Sequence, residues 1–135
     1  MLARFSTDVL PHAPTYCLVL GGINDIQQDS TAAAIEANLS AIYQDCRVAG
    51  IVPVPMTITP WAGYVNWTQA RENVRLAVNS WIRGLGSPLV DLETVVGDGN
   101  TPPALQAQYD SGDHLHPNAA GSQAIAAAIL SQSHI

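Results

Sequence analysis

The 135-residue chain has no lysine: its five basic residues are all arginines (Arg4, Arg47, Arg71, Arg75 and Arg83), against eleven acidic ones, for a net charge of −6. No basic run occurs, so the electrostatic footprint needed to hold a phosphate backbone is missing and nucleic acid is not an expected partner. Charged residues of either sign make up only 12%, about half of the usual ~25%. Apolar runs are also short. None approaches the ~18–20 residues that cross a bilayer, so no membrane partner is expected. The opening MLARFSTDVLPHAP lacks the apolar stretch of a secretion signal, which leaves an intracellular chain or one whose signal was removed earlier. The two cysteines do not settle the compartment, and a disulfide or a reactive thiol is the lesser reading of them. Cys17 and Cys46 are expected to be small buried hydrophobes.

What is present is a core-forming chain, 47% hydrophobic, of a length that suits one domain over residues 1–135. Residues 15–21 (TYCLVLG) form a short apolar run ended by Gly21-Gly22 and predict a strand buried on both faces. Ile35, Leu39, Ile42 and Cys46 mark one face of a helix over 31–49, with Ser30 or Thr31 as its cap. The prolines of IVPVPMTITP confine the next strand to roughly 54–59. A helix near 68–83 follows, its inner face marked by Val74, Val78, Trp81 and Leu85. PLVDLE (88–93) predicts a third strand. The last helix, about 118–132, turns Ile125, Ala128 and Ile129 inward. Strand and helix alternate throughout, which predicts an α/β fold: a parallel sheet with helices on both faces, in three layers.

Two polar clusters fall where ligands of such sheets bind, beyond the carboxyl ends of strands. In GGINDI (21–26), Gly22 lets the backbone turn tightly and Asn24 presents an uncharged amide suited to a developing oxyanion. Asp25 can accept backbone N–H groups and fix the loop. A plain strand-to-helix turn would favour the same residue types. In DSGDHLHPN (110–118), Asp113 and His116 are spaced so that the carboxylate can hold one imidazole nitrogen while the other faces substrate. Pro117 is expected to open the last helix. Surface-loop, helix-capping and metal-binding roles for Asp113, His114 and His116 compete with this reading. A metal would need a further ligand cluster that the sequence does not offer, so none is expected. His12 and His134 are expected to be solvated, and Thr57 and Thr59 to be packing residues.

Taken together, Gly22-x-Asn24-Asp25 and Asp113-x-x-His116-Pro117 resemble the SGNH (GDSL-type) hydrolase family. RFSTDVL, TITP, NSWIR and VDLE match its connecting segments. The resemblance implies a flavodoxin-like fold and ester hydrolysis without a cofactor. The substrate would be a small ester with a short acyl or acetyl group. It also implies the roles: His116 as general base and acid, Asp113 as its orienter, and Asn24 with the Gly22 N–H as oxyanion donors.

The family's Gly-Asp-Ser nucleophile motif and its second, glycine-bearing block have no match here. The chain is expected to begin where the family's third strand is about to start, as an N-terminally truncated domain. Ser30 and Ser111 lie near the expected site but are more readily loop or capping hydroxyls. A remnant that binds a ligand or partner through the same cleft is the rival to a hydrolase. Without the family's first strand, the strand at 15–21 would present an open edge, and a homodimer through that edge is expected.

Overall fold

Two apolar runs paired in parallel set the frame of the computed structural model, which describes residues 1–133. The expectation for His134 lies outside them. Strand β1 (Tyr16–Val19) and β2 (Val52–Pro55) run in register, Tyr16 beside Val52 and Val19 beside Pro55. The fold is α/β with helices on both sides of the sheet. On one face Val19 packs with Ile35, Leu39, Ile42 and Cys46 of α3 (Ala32–Val48) and with Val78 and Ile82 of α4 (Gln69–Gly84). On the other, Val54, Met56 and Val90 pack with Leu92 of α5 (Leu92–Val96) and with Ala128, Ile125 and Ile129 of α6 (Ala119–Gln132). A short α1 (Leu2–Asp8), which the sequence did not reveal, buries Phe5 in the first of these cores.

Prolines decide where the sheet stops. The N–H groups of Val52 and Met56 donate to Thr15 and Val19, so even-numbered residues of β2 face β1. Pro53 and Pro55 therefore turn their nitrogens to the opposite side, where no N–H exists to donate. The strand expected at 88–93 is accordingly reduced to one bridge, Met56 beside Val90. It is held by Val90 N–H to Pro55 O (3.0 Å) and Thr57 N–H to Val90 O (3.1 Å), after which the chain turns into α5. β2 itself lies earlier than expected, at 52–55 rather than 54–59, because prolines facing away from β1 do not interrupt that ladder.

β1 is also not buried on both faces. Cys17 is half-buried and Val19 buried, but Tyr16, Leu18 and Leu20 are exposed. Leu18 lies beside Val54 in the register, on the α6 side of the sheet, where α6 covers β2 but leaves β1 bare.

The helices start where their caps dictate. Thr31, Thr68 and Asn118 each accept an N–H three residues on, from Ala34, Arg71 and Gly121. Asn118 is thus the cap of α6, and Pro117 stands just before it rather than at the first helical position. In α4 the buried stripe is Glu72, Arg75, Val78, Asn79 and Ile82, not the apolar one expected. Val74 and Trp81 are only partly buried, and Leu85 is exposed.

The polar residues on that stripe form a closed network. Arg75, 0% exposed, binds both Glu72 oxygens, Glu93 Oε1 and the Ile58 carbonyl. Glu72 also accepts the Trp61 indole N–H, and Asn79 clasps Ile58 through both its N–H and its C=O. Arg83 joins Glu93 to Asp91, which in turn accepts the Thr57 hydroxyl. Burial alone would raise the Glu93 carboxyl, but Arg75, Arg83 and Asn79 outweigh it and hold Glu93 at about 2. Thr57, expected as packing, is thus a hydrogen-bonding link between the segment after β2 and α5.

Candidate active site

Asp113 and His116 come together on the loop between residue 110 and α6. Asp113 Oδ2 lies 2.6 Å from His116 Nδ1. Its other oxygen accepts the N–H groups of Leu115 and His116 (2.9 and 2.8 Å) and the Ser111 hydroxyl (3.0 Å). The His116 bond first, and then these N–H groups, hold the Asp113 carboxyl well below the usual carboxylate range. In the neutral ring this contact places the proton on Nδ1, facing the carboxylate, and the lone pair on Nε2. The His116 side chain is 70% exposed. Leu115, buried between the two histidine positions, anchors the loop in the core shared with Ile26, Ile58 and Trp61. Ser111 gives its hydroxyl to Asp113, so it does not bridge to the His116 ring.

A second pair, which the sequence reading did not isolate, interleaves with the first. Asp110 Oδ2 lies 2.6 Å from His114 Nδ1, and Asp110 Oδ1 accepts the N–H groups of Gly112 and His114. Its carboxyl is lowered too, because these bonds outweigh the opposing effect of burial. The signal available was the four-residue spacing Asp110 to His114, masked by the Asp113-x-x-His116 motif that overlaps it.

The other cluster closes β1. Gly22 takes φ +116°, and a Cβ there would stand 2.7 Å from Ile58 Cδ1, so only glycine fits. Its carbonyl accepts the Ile26 N–H and starts α2 (Ile23–Gln27), which carries Asn24 on its exposed side. The loop is held by the Asp25 carbonyl, which accepts the N–H groups of Gln28 and Ser30, rather than by the Asp25 carboxylate. Gly22, Asn24, Asp25, Ile58 and Thr59 line a hollow of about 340 Å³.

Segment 58–67 lies between the clusters. Asn66 and Arg71 bind Gln27 at the end of α2, while Gly63 packs on His114, where a Cβ would stand 3.1 Å from its Cγ. The buried network under Ile58 and Trp61 fixes this segment from below. Among the described residues, no group of three or more His, Cys, Asp or Glu side chains is placed to hold a metal ion, and no helix is long and apolar enough to cross a membrane.

Against known proteins, the model of the GDSL-like lipase/acylhydrolase family matches residues 1–124. Comparison with curated protein sequences finds no match. Among solved structures, the chain resembles an acylhydrolase from Bacteroides fragilis NCTC 9343 at TM-score 0.85 and 19% identity, over 98% of this chain and 67% of that one. A GDSL-like lipase from Bacteroides thetaiotaomicron VPI-5482 superposes at 0.81 and 19% identity, over 98% and 68%. A catalytic mutant of an acetylxylan esterase from Geobacillus stearothermophilus gives 0.69 and 20% identity, over 96% and 64%. The chain thus spans about two-thirds of these structures, and at such identities the likeness is one of fold.

Proposed function

Because the chain belongs to the GDSL-like lipase/acylhydrolase family, we propose that it hydrolyses short-chain acyl or acetyl esters held between the Asn24 loop and the 110–118 loop. The observation that carries this reading is the Asp113–His116 pair, with Nδ1 held at 2.6 Å and Nε2 unbonded. His116 Nε2 removes the proton of an attacking hydroxyl as that oxygen bonds to the acyl carbon. The carbonyl oxygen becomes an oxyanion that takes hydrogen bonds from the Asn24 amide and the Gly22 N–H. When the tetrahedral species collapses, His116 returns its proton to the departing alkoxide; attack by water frees the acid at once, whereas attack by a serine leaves an acyl-serine that a water activated by His116 then hydrolyses. Among the described residues, no serine or threonine hydroxyl donates to the His116 ring, so the attacking hydroxyl is a water or a serine brought to His116 from outside them.

The test is hydrolysis of 4-nitrophenyl acetate by the wild type and by Asn24→Ala. The Asn24 side chain is exposed, so the variant should fold normally. Loss of one oxyanion donor is expected to lower kcat about 10²–10³-fold. Equal turnover by both proteins would remove Asn24 from the reaction.

The bare apolar row of Tyr16, Leu18 and Leu20, with Val52 beside Tyr16, supports assembly into a homodimer through the open edge or face of β1. Light scattering after size exclusion at micromolar concentration should return twice the chain mass. Leu18→Lys should return the mass of one chain. A wild type of single-chain mass would end this reading.

A further inference from the structure

The loop that carries His116 builds the same device twice. Asp110 and Asp113 each use one oxygen on backbone N–H groups and the other, at 2.6 Å, on the Nδ1 of their own histidine. The Asp110–His114 pair is the better sheltered: Asp110 is 10% exposed against 44% for Asp113. His114 is held in the left-handed region (φ 64°), which few residues with a side chain adopt. Its ring rests on Gly63, where a Cβ would stand 3.1 Å from the His114 Cγ, so a residue without a side chain leaves room for the imidazole. Helix capping does not account for it, because Asn118 caps α6.

A ring fixed through Nδ1–H presents a lone pair at Nε2, and no described residue hydrogen-bonds that atom. Three kinds of substrate group could meet it. An apolar acyl chain would strip its water and give no partner. An anion would sit beside two carboxylates in a chain of net charge −6, which repels it. A hydroxyl donates to Nε2 and carries no charge. Resting on the hydrolase reading above, we propose that His114 is a substrate-binding residue whose Nε2 accepts a hydrogen bond from a hydroxyl of the alcohol part of the ester. The substrates are then esters of polyhydroxyl compounds rather than of simple alcohols. Asp110 orients the ring, and Gly63 leaves room for it.

His114→Asn is the variant to make, because asparagine tolerates the left-handed backbone while its shorter amide does not reach the Nε2 position. Two esters are compared: 4-nitrophenyl acetate, which has no hydroxyl on its alcohol part, and a mono-O-acetyl methyl xyloside, read by acetate release. The expected result is a loss of about 10- to 100-fold in kcat/KM on the glycoside, mostly through KM. Turnover of 4-nitrophenyl acetate should stay within about threefold of the wild type. An equal fall on both esters would show that His114 only supports the loop, and no change on either would remove it from the site. Both outcomes overturn the inference while leaving the hydrolase reading intact. A wild type inert towards both esters would overturn the hydrolase reading, and the inference with it.

Discussion

Exchanging His116 for alanine is expected to lower ester hydrolysis by about 10²–10⁴-fold in kcat/KM, the usual contribution of a positioned general base. The folding midpoint should stay where it is. The side chain is 70% exposed and its only described side-chain partner is Asp113, so truncation leaves no buried group stranded. Asp113→Asn should be nearly as damaging to activity, for a different reason. An amide can present its N–H to Nδ1 and favour the wrong tautomer, which places the proton on Nε2, where the lone pair is needed. Since the Asp113 carboxyl lies well below the usual carboxylate range, it stays ionised through mildly acidic pH. A fall in wild-type activity near pH 4–5 would therefore come from another group. The measurement is a pH–rate profile of wild type and both variants, beside a urea titration. Variants as active as the wild type would leave the pair without a role in turnover.

The largest effect on stability should come from Arg75→Met. Removing the cation strands the buried Glu72 carboxylate, which it binds through two nitrogens, and leaves the Ile58 carbonyl to Asn79 alone. Breaking a buried pair on one side costs about 3–5 kcal/mol, roughly 10–15 °C in Tm for a domain of this size. Glu93 retains Arg83 and Asn79, so the damage centres on Glu72 and the Trp61 indole it holds. Replacing both partners, as Glu72→Leu with Arg75→Met, should recover much of the loss, because no charge then stays buried without a partner. Thermal unfolding of the single and double variants checks this. A single variant within 1 kcal/mol of the wild type would show that the network is not what holds segment 58–61.

The parallel α/β frame was legible because α3 and α6 bury what their apolar spacing says they bury. α4 was misread by the same rule. Its inner stripe carries Glu72, Arg75 and Asn79, and a hydrophobic pattern is blind to charges that are buried in pairs. The i, i+3 spacing of Glu72 and Arg75 was the available clue. α1 was missed because seven residues bury only Phe5. The expected third strand failed for a local reason, the missing N–H groups of Pro53 and Pro55. Of the site, the Asp113–His116 contact could be read because the two groups stand three positions apart on one loop. The contacts of segment 58–67 with the end of α2 and with His114 come from long-range packing, which no local pattern encodes.

The alternating prolines of β2 have a further consequence for how copies of this chain can meet. On the far side of β2, the N–H of Thr57 already serves Val90, and positions 53 and 55 have none to give. Among the described residues of the sheet, β1 is therefore the edge that offers both donors and acceptors to a strand from outside. If two copies join there, each presents its blocked side outward, and a third strand finds no template. Edge pairing of that kind ends at two chains rather than growing strand by strand, although every copy carries an open, apolar strand.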